Sequence, residues 1–504
     1  MKKKEKILKI GGIIFFILLN ISLNLIVYRK MNSRFVITSI LSIILTLVLL
    51  GFLQHPKIKK WEFINKFIVC FFTIGLFYLF SFPVCSLPDE VNHFMRAYEI
   101  SNGHLVSTKY KTGIGTTVGG TEITKQIEKV IVLDQHDYKT TIDNLKVKNN
   151  KKGKTKPYGF TNISMYSFVC YTPQAVGIMI GKILNLPVIV WAYLARLCNF
   201  IVFSLLLYYA MKRMPFKKLT LMFIAMLPIT FQLAISMSAD SLTIATSFAL
   251  MATILDIRYR QKEVLSKKQI VWLGFLSMVM ALCKIVYLPI CLLLFAIPKE
   301  RFQSKKQKYI SIGIILFLVV IANLVWLTIA SDFLLTIEGR ANPDVQLELM
   351  IKNPFRYAGV LLNTVSLYLN AYITGMLGQS LALFNITLSC IYIFANIVIL
   401  VILTLCDHKD VKFDNFFRVL SLFIFLSIAL LTFTSLYLDW TAVGSSTIEG
   451  VQGRYFIPII MYLLLGLTSS SFSTKIKEEN QHYYLLLFMI FENIYAISYI
   501  MCSY

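Results

Sequence analysis

The chain has 504 residues, of which 57% are hydrophobic and 15% charged, whereas an ordinary soluble chain is about a quarter charged. Many windows exceed the roughly 18 apolar residues that signal a spanning helix, so a soluble domain is excluded and the fold class is all-α, a polytopic membrane protein. The formal net charge of +24 does not point to nucleic acid, because Lys and Arg cluster in short loops between apolar runs, where anionic headgroups are the partner.

The amino terminus, Lys2-Lys3-Lys4-Glu5-Lys6, is basic and belongs in the cytoplasm. The run Ile7 to Val27 is too long for a cleaved signal and lacks a small-residue cleavage site, so it is a retained anchor. Spans are predicted at Ile7–Tyr28, Phe35–Leu53 and Phe67–Phe82, and the lysine-rich Lys57–Lys66 segment places the last of them exiting outward. A long polar loop, 83–165, follows outside. Within it, Gly113 to Gly120 lacks the ending of a phosphate loop and reads as a flexible loop, and Lys146 to Lys156 reads as solvated. Tyr171-Thr172-Pro173 opens a half-buried outer-face helix to Leu184.

Val188–Tyr209 then crosses inward, Leu219–Met237 outward and Leu242–Leu255 inward. Val271–Cys283 and Ile285–Ile297 form a hairpin with Lys284 at its outer tip, and Tyr309–Ala330 leads to a second outer loop, 331–381. In that loop Ala358–Met376 is interrupted by Asn363, Asn370 and Gly375 and is expected to lie on the outer face. Ala382–Leu405, Phe416–Leu438, a span opened by Arg454 and ending near Leu467, and Tyr483–Met501 bring the total to about thirteen spans. The organisation is a two-helix hairpin at 1–63, a core at 64–474 and a last helix at 475–504. The nine cysteines have no zinc-type spacing. Cys85 and Cys170 would both lie outside and are the pair placed to bridge, although thiols are the simpler reading.

The stretch that organises the rest is Ser86-Leu87-Pro88-Asp89-Glu90-Val91-Asn92-His93-Phe94-Met95-Arg96. With Ser86 as a cap, Ser86 and Asp89 read as a capping box, and Asp89, His93 and Arg96 share one helix face. The plain alternative is a helix start with two dipole-matching acids on a wet loop. Other polar groups gather on the same side: Tyr171, Arg196 from within a span, Asp240, Lys284, Tyr287, Glu449, Gln452, Arg454 and Tyr455. Singly, each has a structural reading. Lys284 snorkels, Asp240 caps a helix, Tyr171 and Tyr287 belong to an aromatic belt, and Arg454 anchors at the interface. Collected at one membrane face they describe a site, in which cations hold a lipid phosphate and a carboxylate deprotonates an acceptor hydroxyl. Gly453 before Arg454 at a helix start adds free N–H groups to that phosphate site.

Leu87-Pro88-Asp89-Glu90-x-x-His93-x-x-Arg96, Tyr171-x-Pro173, Arg196-x-x-Asn199, Ser236-x-Ser238-x-Asp240, Lys284-x-x-Tyr287 and Gln452-Gly453-Arg454-Tyr455-Phe456-x-Pro458 occur in this order. Over about Phe67 to Leu467 the chain thereby resembles the bacterial membrane family called domain of unknown function 2142, whose members look like class C (GT-C) glycosyltransferases. The resemblance implies a GT-C-like fold and transfer of a sugar from a polyprenyl-phosphate donor on the extracytoplasmic face of the cell membrane. Asp89 or Glu90 would be the base or the ligand of a divalent cation, Mg or Mn, with His93 beside them. Arg96, Tyr171, Arg196, Asp240, Lys284, Tyr287, Gln452, Arg454 and Tyr455 would bind lipid phosphate and substrate. The acceptor would be a wall or surface polysaccharide of a Gram-positive host. Two other classes share these features: a transporter or flippase of lipid-linked sugars, and a polysaccharide polymerase or ligase.

Overall fold

A computed structural model describes residues 11, 13–23, 25, 33–110, 113–118, 121–128, 137–147, 156–331, 341–407, 411, 414–468 and 477–504. The basic amino terminus, the ends of the first predicted span, most of the Lys146–Lys156 loop and the 332–340 part of the second outer loop lie outside the described residues.

The helices that carry the argument are α1 (Ile13–Leu23), α2 (Ser33–Gln54), α3 (Phe63–Ser81), α4 (Glu90–Ile100), α5 (Thr172–Ile183), α6 (Val188–Arg213), α7 (Lys218–Ala225), α8 (Pro228–Ile235), α9 (Asp240–Tyr259), α10 (Lys267–Cys283), α11 (Lys305–Ala330), α12 (Pro343–Lys352), α13 (Pro354–Met376), α14 (Cys390–Cys406), α15 (Asn415–Asp439), α16 (Ile460–Gly466) and α17 (Glu478–Ser503). Seven of the described helices are long and apolar enough to cross a membrane, or eight if α7 and α8 count as one bent span. The seven are α2 (from Phe35), α3, α6, α9, α11, α15 and α17. Helix α9 is buried throughout its most apolar 18 residues, whereas only 22% of the corresponding stretch of α11 is buried. The bare side chains of α11, Phe317 and Leu324 among them, suit a lipid solvent.

Four predicted spans take another form, one of them Ile285–Ile297, which is a 3-10 helix, Ile285–Ala296, with Pro289 inside it. Leu219–Met237 is not straight: it breaks between α7 and α8 with a 66° bend. Pro228 at the start of α8 lacks the N–H that would continue the ladder. The freed carbonyls find other donors, with Asn493 Nδ2 reaching Met226 O at 2.9 Å and Thr230 Oγ1 reaching Ile224 O at 2.7 Å. The segment opened by Arg454 is one 3-10 turn, Gly453–Phe456, and then the seven residues of α16, with Pro458 between them. Ala382–Leu405 is shortened to α14, because Ser380–Leu381 and Ile386–Thr387 pair as a small antiparallel hairpin. Helix α13 runs through the predicted outer-face segment. Its 23 residues are long enough to span, but it is not among the seven that are also apolar enough.

The first long loop is a module, not an open chain. Strands β1 (Thr108–Tyr110), β2 (Gly113–Val118) and β3 (Lys156–Gly159) form an antiparallel sheet in the order β1-β2-β3. The glycine-rich stretch expected to be a flexible loop therefore supplies the central strand through Val118. Gly115 has no room for a side chain, since a Cβ there would lie 1.8 Å from Tyr158 O of β3.

Helices α1 and α2 near the start of the chain pack against α17 near its end. Asn20 Nδ2 donates to Phe491 O at 2.9 Å, Thr38 Oγ1 meets Cys502 Sγ at 2.9 Å, and Ser42 meets Ser498. Small side chains at four-residue spacing on both helices, Thr38 and Ser42 against Cys502 and Ser498, let the backbones approach.

Candidate functional site

The chain leaves α3 and turns twice before α4. Cys85 and Asp89 both adopt left-handed backbone, with φ of 65° and 58°. Helix α4 starts at Glu90, so the expected capping box is absent: Ser86 Oγ donates to Pro83 O at 2.8 Å and Asp89 makes no side-chain cap bond. The reversal at Asp89 sends the two neighbouring carboxylates in opposite directions.

Glu90 turns inward. Arg196 from α6 donates Nε to Oε1 at 2.8 Å and a terminal N–H to Oε2 at 2.5 Å, and the Cys85 N–H donates to Oε2 at 3.0 Å. Arg196 also donates to Phe82 O at 2.7 Å and Pro83 O at 2.9 Å. Both side chains are fully buried. This corrects two expectations. Glu90, expected as a base or metal ligand, is closed off by Arg196, and Arg196, expected to bind substrate, is engaged by Glu90 and backbone carbonyls. Two-armed pairing with every strong donor satisfied is what makes a buried ion pair tolerable.

Asp89 turns outward. Its side chain is 52% exposed, and Oδ2 lies 3.9 Å from the guanidinium of Arg454, which is 10% exposed. A second pair, Asp240 at the start of α9 with Lys284 after α10, is nearly buried. Burial works against the Lys284 ammonium, but the charge of Asp240, and after it the phenol groups of Tyr166, Tyr287 and Tyr455, outweigh it and hold its pKa well above the ordinary lysine value. The Lys284 ammonium sits 5.5 Å from the ring centres of Tyr166 and Tyr455, and the Arg454 guanidinium 5.6 Å from that of Tyr455. Tyr287 donates to Tyr455 O at 2.8 Å, which ties the 3-10 segment after α10 to the Arg454 turn.

His93 joins the cluster as a neutral group. Its Nδ1 is 2.9 Å from the Tyr171 hydroxyl. Burial pushes the imidazole down to about 3; Asp240 pulls the other way, and Lys284 and Arg454 add to the push. Tyr171 is fully buried and positions His93, with no open path to a ligand.

Arg96 does not belong to the site. It pairs with Glu99 one turn on and donates to Leu105 O at 2.7 Å, while Ser107 donates to Glu99 at 2.7 Å. The expected shared face of Asp89, His93 and Arg96 fails because Asp89 precedes the helix and Arg96 faces the β-sheet module. The divalent-cation expectation also fails to fit. With Glu90 engaged by Arg196, Asp89 has no second free carboxylate beside it, and the described residues hold no group of three or more His, Cys, Asp or Glu able to bind a metal ion. The proposed pair of cysteines is not bridged: Cys85 and Cys170 are free thiols, and Cys170 donates to Cys283 O at 3.1 Å.

A cavity of about 420 Å³ adjoins the cluster. Arg454, Gln452 and Glu449 line it on one side and Tyr368 and Tyr372 of α13 on the other. Gly453 holds these walls together: a Cβ there would lie 2.3 Å from Tyr372 O and 2.4 Å from Met376 N. Its glycine is required for close packing, and Gly453 itself lines the cavity. Tyr166, which the sequence reading passed over, faces Lys284 from the loop before α5. Its only sequence signal was a tyrosine five residues before Tyr171.

The fold and this cluster define a helical, multi-pass membrane protein with acids and bases from distant segments gathered at one end of the bundle. Residues 70–463 match the family described as "Predicted membrane protein (DUF2142)", and the chain belongs to that family. No curated protein and no solved structure matches it.

Proposed function

We propose that this protein is a polyprenyl-phosphate-sugar glycosyltransferase of the GT-C type, acting at the extracytoplasmic face of the cell membrane on a wall or surface polysaccharide. In this reading the shorter apolar segments, α1, α10, the 3-10 segment Ile285–Ala296 and α14, supplement the long helices toward the thirteen-span arrangement. The observation that carries the reading is the exposed Asp89 carboxylate set 3.9 Å from the Arg454 guanidinium, with Lys284 close by and a 420 Å³ cavity alongside.

The chemistry needs one base and one leaving-group cation. Asp89 takes the proton of the acceptor hydroxyl as its oxygen bonds to the anomeric carbon. The bond from that carbon to the lipid phosphate oxygen breaks, and the electron pair leaves on the phosphate. Arg454 faces the charge that develops there, so its contribution is greatest in the transition state. Lys284 is already balanced by Asp240, which leaves Arg454 as the main counter-charge. A phosphodiester carrying one negative charge suits that balance. No metal takes part in these steps.

The test uses the reconstituted protein with a polyprenyl-phosphate-linked sugar and wall polymer. Asp89→Asn is expected to fold normally and to lose about 10²- to 10⁴-fold in transfer rate, the usual contribution of a general base. Unchanged transfer by this variant would overturn the reading. A flippase would use the same cations without Asp89, so movement of labelled lipid-linked sugar across vesicles without transfer would favour that alternative. Loss of chain length in place of side groups, in wall polymer from a deletion strain, would favour a polymerase or ligase.

A further inference from the structure

Glu492 lies in the middle of α17, an apolar helix, and is fully buried. It stands outside the family-matched residues and takes no part in the chemistry above. An ionisable group inside a membrane span is costly, and its partner decides what it does. Here the partner is an amide. Asn396 of α14, also fully buried, donates Nδ2 to Glu492 Oε1 at 2.6 Å. The other two atoms of this pair, Glu492 Oε2 and Asn396 Oδ1, have no hydrogen-bond partner among the described residues.

Both unpartnered atoms are acceptors, and they sit on two side chains already joined by one bond. A single hydrogen bridging the two would satisfy both. A carboxylic acid can supply it and a carboxylate cannot. The titratable groups that face this stretch are Tyr78 of α3 and Tyr392 of α14. Tyr78 is taken by Asn493 at 2.9 Å and Tyr392 by Asn20 at 2.5 Å. Helix α8 has no ionisable side chain, and those of α2 and α7, Arg34 and Lys218, stand in their first turns. No cation is therefore placed to balance a charged Glu492 among the described residues.

We propose that Glu492 is a proton-binding site within the membrane, an uncharged acid closed onto the Asn396 amide in a two-armed ring. Binding the proton forms the O–H bond at Oε2 and its hydrogen bond to Oδ1. Releasing the proton to water opens that arm and leaves an uncompensated carboxylate in an apolar setting. The ring therefore latches α17, outside the matched region, to α14 within it while the carboxyl is protonated. The alternative occupant for the two unpartnered oxygens is a monovalent cation such as Na⁺, which the test below separates.

The infrared spectrum of the reconstituted protein at neutral pH is compared with that of Glu492→Gln. The wild type is expected to show the carbonyl band of a protonated carboxylic acid that the variant lacks. Only carboxylate bands in that difference would overturn the proposal. Gln can form the same two arms with Asn396, so the variant should fold; if it does not, the acid band is sought in wild type alone, where exposed carboxyls are ionised. Thermal unfolding with Na⁺ replaced by a bulky organic cation should give the same midpoint. A midpoint that rises with Na⁺ in wild type but not in Glu492→Gln would assign the oxygens to a cation and overturn the proposal.

Discussion

Asp89 and Glu90 are consecutive carboxylates, each with an arginine near it, and the two pairs are built differently. The Glu90–Arg196 pair is fully buried and made of two short bonds, with four further donor or acceptor contacts to backbone. The Asp89–Arg454 pair is loose, at 3.9 Å, with the carboxylate half exposed. A closed pair holds geometry; an open one can exchange its partner for a ligand. The difference arises at one residue, since left-handed backbone at Asp89 reverses the chain before α4 begins. That conformation is strained for a residue with a Cβ. It persists here because Arg196 fixes the turn from both sides, through Glu90 and through the carbonyls of Phe82 and Pro83.

The sharpest way to break this comparison is to remove the buried arginine. Arg196→Ala leaves Glu90 as an unpaired buried charge, and breaking such a pair costs about 3–5 kcal/mol. The unfolding midpoint in detergent should fall steeply, and transfer should fall with it. Replacing both partners by apolar residues of similar size should recover much of that stability. Transfer should not return, because the Asp89 turn would no longer be pinned. Recovery of both would show that the pair contributes to folding alone.

Much of the site was readable from residue type and order. Asp240 and Lys284, Arg454 and Asp89, and His93 and Tyr171 all meet, because each stands in the end turn of a helix or just beyond one. Glu90 was not readable as a closed group. Adjacent carboxylates look alike until a backbone reversal sends them apart, and nothing in the letters announces left-handed backbone at an aspartate. Arg96 was assigned to the site by its spacing, while Glu99, one turn away, competed for it and won. The break in Leu219–Met237 did carry a signal in Pro228, which hydropathy averaging hid. The strand in the glycine-rich stretch needed β3, about forty residues on, before it could form. The pairing of Asn396 with Glu492 spans 96 positions and has no motif at all.

On the open side of the comparison, Gly453→Ala should have a middling effect. The added Cβ would meet Tyr372 O and the Met376 N–H of α13 at 2.3 and 2.4 Å, both backbone atoms that cannot swing aside. Overpacking of this kind costs about 1–3 kcal/mol. The Arg454 turn and α13 must part, so the cavity changes shape and transfer should drop by more than the stability loss explains. A variant that lost stability but kept full transfer would show that Arg454 tolerates displacement and does not hold the leaving phosphate.

His93 offers the smallest effect and a test of the charge balance. Its folded value of about 3 lies below the ordinary 6.5, so the unfolded chain binds this proton first as pH falls. The stability it contributes is therefore complete above about pH 6.5 and is lost below it, at about 1.4 kcal/mol per pH unit. Between pH 6.5 and about 5, before most carboxylates titrate, the wild-type unfolding midpoint should fall with that slope, and His93→Gln should flatten it. An equal slope in the variant would mean that the imidazole is already charged in the folded protein. It would then be a third cation beside Arg454 and Lys284, giving the site room for a second negative charge. A neutral His93 keeps Arg454 as the one cation not already matched by a tight carboxylate, which is the balance that suits a donor with a single phosphate.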